Sequence, residues 1–192
     1  MSGSEHKIKG LSFAIITVSD RSSRGEREDR SGPTLKDYLE KRGARVDKML
    51  IVPDEAEKIK ETLIGLCDGP EAPEIILTTG GTGVSPRDVT PEATKAVLEK
   101  EVPGLAEAMR AESLKKTPMA MLSRAVCGLR KRTLIINLPG SVRGALENLE
   151  VVVPALGHAV EILRQKISDC QQSEHLQPGH LRDRSRTQEE GR

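Results

Sequence analysis

Aromatic residues are almost missing from this chain, which has one Phe, one Tyr and no Trp in 192 residues. Without stacking platforms, binding of single-stranded nucleic acid by base stacking is excluded, and the core has to be aliphatic. Net charge is missing too: 30 basic residues face 29 acidic ones. Bulk charge then draws the protein to neither nucleic acid nor a membrane surface. No apolar run approaches the roughly 20 residues of a membrane span. The opening MSGSEHKIKG lacks the long apolar centre of a secretion signal. Cys67, Cys127 and Cys170 are scattered, without paired metal spacing or a disulfide framework. These absences lead us to expect a reduced, cytoplasmic protein without structural zinc, in which Cys67 is a small core residue on a helix face.

What is present is an alternation of strand and helix signals. The β-branched run SFAIITV (12–18) reads as a buried strand ending at Ser19 and Asp20. Charged residues 21–30 read as a loop. Ser31 suits the cap of a helix through Leu35, Tyr38 and Leu39 that stops at Gly43. RVDKMLIV (45–52) reads as a second strand. Asp54 and Glu57 have capping-box spacing before the inward stripe Ile59, Leu63 and Leu66. A strand over 74–79 follows, then a helix with Thr90 as cap and Pro91 at its first position. Pro103 to Lys116 reads as helical, with Leu105 and Met109 inward. Residues 119–132 are expected to form a short hairpin, and TLIINL (133–138) a strand. Apolar residues from Leu146 to Ile167, three or four apart, trace one helical face that Pro154 should break or kink.

This alternation predicts a three-layer α/β fold, a mostly parallel sheet with helices on both faces. Residues 1–10 are expected to be a flexible N-terminus, 11–167 the domain, and 168–192 a disordered tail too poor in apolar residues to order itself. In such a sheet, ligands bind beyond the carboxyl ends of the strands. Three loops fall there: Ser19-Asp20, Gly80 to Asp88, and Pro139-Gly140-Ser141.

Glycines at a strand end let the backbone approach a ligand closely. Successive N–H groups in such a turn form a concave anion site. Phosphate is the natural guest, yet Gly80-Gly81-Thr82-Gly83 is neither a Walker loop nor a dinucleotide fingerprint. On its own it serves a tight turn as readily as a ligand. Asp54 and Asp88 both follow strands and precede helices, so both should lie at one edge. Carboxylates facing a polyphosphate can hold Mg²⁺. Asp54 suits a helix cap equally well; Asp88, two residues before Thr90, is the poorer cap. Arg87 suits either a phosphate or Asp88, Ser113 a solvent-facing helix position, and His158 a packed or exposed site rather than a metal ligand.

The blocks VSD (18–20), EDRSG (28–32), VPDE (52–55), LTTGGTG (77–83), PRDVTPEAT (86–94), MLSR (121–124) and LIINLPGS (134–141) occur in this order. Together they resemble the molybdopterin adenylyltransferases of molybdenum cofactor synthesis, with most likeness to the amino-terminal (G) domain of gephyrin and its plant counterpart. The resemblance spans about residues 11–167. It implies a three-layer α/β fold and a homotrimer. It also implies transfer of AMP from ATP to the terminal phosphate of molybdopterin, assisted by Mg²⁺. Asp54 and Asp88 would then be the catalytic and Mg²⁺-holding pair. Gly80, Gly81, Thr82, Gly83, Pro139, Gly140 and Ser141 would hold the nucleotide and its phosphates, and Ser19, Asp20 and Ser113 would lie with the pterin. The alternative it leaves open is a trimerising scaffold module with incidental pterin binding, with scaffold partners only as part of a longer gephyrin-like protein. Gephyrin continues into a second domain that inserts molybdate and anchors receptors, and neither activity is expected of these residues. For the trimer face we expect an exposed apolar patch on 146–163 that includes Val153 and Leu156.

Overall fold

β-Branched runs become the centre of the sheet because they are buried on both faces. The structure, a computed structural model, describes residues 8–164. β1 (Ser12–Val18), β2 (Arg45–Val52), β3 (Ile75–Thr79) and β6 (Thr133–Leu138) run parallel; β5 (Cys127–Arg130) and β4 (Lys100–Glu101) extend the sheet antiparallel, in the order β2-β1-β3-β6-β5-β4. The strand period of two divides the core. Phe13, Ile15, Ile75, Leu77, Leu134 and Ile136 face α2 (Ser31–Glu40), α5 (Pro103–Leu114) and α6 (Val142–Leu163). Ala14, Ile16, Ile76 and Ile135 face α3 (Ala56–Asp68) and α4 (Thr90–Lys95). The expected three-layer α/β fold is therefore present.

Several local expectations change. Packing reaches further toward the N-terminus than residue 11: Ile8 is fully buried, and the Gly10 N–H donates to the Gly43 carbonyl at 2.8 Å. The remaining N-terminal residues, the tail at 168–192 and Ile167 lie outside the described residues. Asp20–Ser23 forms a one-turn helix, α1, inside the expected charged loop, capped by the Ser19 hydroxyl. The hairpin lies later than expected: 118–122 is a 3₁₀ turn, and β5 pairs with β6 across Lys131 and Arg132. Pro154 does not break α6. Its ring is exposed, and Val152, Val153 and Leu156 pack on both sides of it, so the packing outweighs one lost hydrogen bond.

Three expected helix caps also differ. Asp29, not Ser31, caps α2: its Oδ1 accepts from the N–H groups of Ser31 (2.9 Å) and Gly32 (3.1 Å), while its Oδ2 accepts from the Thr17 hydroxyl (2.7 Å). Thr90 is the first residue of α4 rather than its cap, and Asp54 does not cap α3. The proposed apolar patch fails as well. Val153 is 3% and Leu156 0% exposed, because they face the sheet. Within 146–163, Ile162 is exposed; groups of exposed apolar residues lie instead at Met49, Leu50 and Ile51 on edge strand β2, and at Met119, Met121 and Leu122 on the 3₁₀ turn.

Candidate functional site

Four parallel strands deliver their carboxyl ends to one rim, where two backbone bonds stitch them: Ser19 N–H to Val52 O (2.9 Å) and Gly80 N–H to Leu138 O (3.2 Å). After β1 the chain moves to one side for β2 and to the other for β3. β1 and β3 therefore flank a topological switch point, where such sheets open a crevice. Gly80 sits at that point with φ +112°, and a Cβ there would come within 2.2 Å of the Val18 carbonyl oxygen. Only glycine fits so tight a crossing.

Each carbonyl of the glycine loop is tied back into the protein. Gly80 O accepts from the Thr90 hydroxyl (2.9 Å) and Gly81 O from the Thr90 N–H (3.1 Å). Thr82 O accepts from the Arg124 N–H (2.9 Å) and Gly83 O from Arg124 Nε (2.5 Å). The second loop is treated alike: Thr79 donates to Pro139 O (2.7 Å) and the Ser31 hydroxyl to Gly140 O (3.2 Å). Among the described residues, no acceptor is seen for the N–H groups of Gly81, Thr82, Gly83, Gly140 and Ser141. Carbonyls bound and amides free give the polarity an anion requires. The amino end of the 22-residue α6, capped by Ser141, adds its positive dipole end.

A cleft of about 440 Å³ opens beside these loops. The expected residues Gly81, Thr82, Gly83, Asp88, Ser113, Pro139, Gly140 and Ser141 line it. Asp54, Ser19, Asp20 and Gly80 lie outside its lining. Ser113 does not merely face solvent; its hydroxyl accepts from Asn148 Nδ2 at 3.1 Å. Composition and spacing alone missed Arg110, Lys116 and Asn148, which share the cleft wall. Part of the signal was available: Arg110 and Ser113 in α5, and Gly144 and Asn148 in α6, stand three and four residues apart, which places each pair on one helical face.

The two aspartates flank the glycine loop. A Cβ on Gly81 would stand 3.1 Å from Asp54 Oδ1, and one on Gly83 would stand 2.9 Å from Asp88 Oδ2. Asp88 Oδ2 accepts from the Ser85 N–H (2.8 Å). Asp54 and Asp20 bind each other reciprocally. Asp54 Oδ2 accepts the Asp20 N–H (2.7 Å), and Asp20 Oδ1 accepts the Asp54 N–H (3.0 Å). Arg87 pairs with Asp20 at 2.7 Å rather than with Asp88. That guanidinium holds the Asp20 carboxyl below the ordinary aspartate range. Desolvation pushes Asp54 up, against the Asp20 N–H that lowers it. Burial pushes the Cys67 thiol up to about 11 and Cys127 to about 12, which fits inert core residues. His158 is exposed, 3.9 Å from Glu161.

Among the described residues, no three His, Cys, Asp or Glu side chains gather into a closed metal cage. Mg²⁺ needs none, since one or two carboxylates suffice when phosphate oxygens and water complete its shell. Asp54 and Asp88, acceptor groups on either side of a ring of amide donors, fit that ion.

Fold and site together define an α/β protein with free amides and two carboxylates at the carboxyl rim of its sheet. Residues 14–158 match the family described as "Probable molybdopterin binding domain", and the chain belongs to that family. It is 41% identical over 158 residues to a molybdopterin adenylyltransferase of Helicobacter pylori, covering 81% of this chain and 89% of that protein. It is 39% identical to gephyrin of Dictyostelium discoideum, but spans only 25% of that protein's length. The solved structure of the molybdopterin biosynthesis enzyme MoaB from Thermus is similar with a TM-score of 0.75 and 50% identity, covering 81% of this chain and 97% of that one.

Proposed function

We propose that this protein is a molybdopterin adenylyltransferase of molybdenum cofactor biosynthesis, with ATP and molybdopterin as substrates. One observation carries the reading: a loop with free amides and bound carbonyls stands between two carboxylates at the mouth of a cleft, in a chain of the molybdopterin-binding family.

The reaction needs little covalent chemistry from the protein. An oxygen of the terminal molybdopterin phosphate forms a bond to the α-phosphorus of ATP. The bond from that phosphorus to the α–β bridging oxygen breaks, and pyrophosphate leaves with the electron pair. Positioning and charge stabilisation dominate such a transfer. The N–H groups of Gly81, Thr82, Gly83, Gly140 and Ser141 hold phosphate oxygens, and the cleft wall at Ser113 and Asn148 receives the pterin. Ser19 and Asp20 are assigned a supporting role, since their side chains serve α1, Asp54 and Arg87. Asp88 and Asp54 would hold Mg²⁺, which, when bound, neutralises charge on the polyphosphate and its leaving group.

A homotrimer belongs to the same reading. The apolar edge at Met49, Leu50 and Ile51 is the surface the monomer leaves for it; light scattering on purified protein gives the subunit count. The decisive assay mixes molybdopterin, ATP and Mg²⁺ with the full chain. Adenylylated pterin and pyrophosphate should accumulate in equal amounts, and pterin binding without pyrophosphate would leave a carrier rather than an enzyme.

A further inference from the structure

The polarity of the glycine loop depends on its carbonyls staying turned away from the cleft. A single peptide rotation would point the oxygen of Gly83 at an incoming phosphate and convert an attractive dipole into a repulsive one. Thr90 secures the first half of the loop. The second half is secured by Arg124, from a segment outside every helix and strand. Its backbone N–H takes the Thr82 carbonyl at 2.9 Å, Nε takes Gly83 at 2.5 Å, and a terminal nitrogen takes Asp88 at 2.5 Å. Its other terminal nitrogen pairs with Glu92 on α4. One planar guanidinium thus joins the loop's end, the backbone of the site acid and the helix that follows them. Lysine, a point charge on a flexible stem, cannot reproduce that fork.

We propose that Arg124 is the positioning residue of this site. It holds Thr82 to Asp88 in the form whose amides face the anion, acting through the Gly83 and Asp88 carbonyls, and Glu92 fixes its orientation. The role in turnover rests on the adenylyltransferase reading; the role in loop geometry does not. The competing role for an arginine beside a phosphate cleft is direct contact with substrate. Two observations oppose it: Arg124 is not part of the lining of the 440 Å³ cleft, and three nitrogens of its side chain already face protein acceptors.

Two variants of the full chain test the proposal, Arg124→Lys and Glu92→Gln, each read by hydrogen exchange and by pyrophosphate release. The reporting amides are Asp88 and Thr90, which donate to the Ser85 and Gly81 carbonyls; amides of β3 are the control. Arg124→Lys should speed exchange at Asp88 and Thr90 about tenfold or more with β3 unchanged, and slow turnover by about tenfold or more, as expected for loss of charge-assisted bonds. Glu92→Gln, at an exposed site that does not threaten the fold, should move both readouts in the same direction by a few fold. A direct phosphate ligand gives the opposite pattern: turnover lost in Arg124→Lys with exchange unchanged, and Glu92→Gln at or above the parent rate because a negative charge has left the site. That pattern overturns the proposal. Faster exchange in a protein that never releases pyrophosphate would instead sink the adenylyltransferase reading and leave the loop assignment standing.

Discussion

The glycine loop separates two aspartates whose surroundings are opposite in kind. On the β2 side, Asp54 is locked into a closed circuit: its carboxylate holds the Asp20 N–H, Asp20 holds the Asp54 N–H, and Arg87 neutralises Asp20. On the α4 side, Asp88 lines the open cleft, and its carboxylate has one backbone partner in the loop. Desolvation raises Asp54 on the closed side, while Asp88 on the other side lines the cleft. A metal-bound polyphosphate placed between them would find one rigid ligand and one adaptable ligand, so the two acids should differ in what they cost the fold rather than in what they give the reaction.

The sharpest way to break that comparison is to neutralise each acid in turn. Asp88→Asn and Asp54→Asn should each lower turnover by about 10²–10³, the usual cost of removing one preorganised charge-stabilising group. Their stabilities should diverge. A raised folded pKa means that ionised Asp54 is disfavoured in the folded state at neutral pH, and the associated stability is present only below the unfolded value near 3.8. Asp54→Asn should therefore melt slightly higher than the parent at pH 7, by no more than about 2 °C because the group is partly exposed. The gain should shrink as pH falls and vanish below about pH 3. Equal melting curves at both pH values would show that desolvation does not govern Asp54.

The glycines offer a second contrast between backbone and side-chain contacts. Alanine at Gly80 meets the Val18 carbonyl, which cannot move without displacing β1, in a left-handed conformation. Gly80→Ala should cost about 2–5 kcal/mol in urea unfolding, the sum of overpacking and backbone strain. Alanine at Gly83 meets only the end of the Asp88 side chain, at an ordinary φ. Gly83→Ala should keep its stability within about 1 kcal/mol and lose turnover through the displaced carboxylate.

The same division between local and assembled features decides what was legible in the sequence. The parallel half of the sheet was readable because β1, β3 and β6 are continuous apolar runs buried on both faces. The antiparallel half was not. β4 is two exposed charged residues, and β5 carries Gly128, where a Cβ would lie 2.4 Å from Leu98 Cδ1 and 2.5 Å from the Lys100 carbonyl oxygen. Neither has a strand's composition: β4 is too short and exposed to carry an apolar pattern, and crowding requires the glycine in β5. The rim loops and both acids were legible, since strand ends in a parallel sheet share an edge. The partners of those acids were not: Asp20 with Asp54, Asp29 under α2 and Arg124 under the glycine loop are pairings across the fold, and local spacing does not encode them.

Arg87 gives the mildest test of the closed side. Replacing it with Met removes the guanidinium that lowers Asp20 and also lessens the charge attraction acting on Asp54, so both carboxyls should titrate higher. Asp20 contributes stability above its unfolded value of 3.8 and loses it as pH falls through the folded value, so the parent should exceed Arg87→Met at neutral pH and match it in strong acid. The pair is on the surface, and the difference should be about 0–1 kcal/mol. Turnover should report the change more clearly. The acid limb of kcat/KM reflects the free enzyme's titrating groups, and because Asp20 and Asp54 are coupled, that limb belongs to the pair. Arg87→Met should shift it upward in pH with the plateau nearly intact. An unmoved limb, measured from pH 4 to 7, would mean that neither carboxylate limits the reaction in acid.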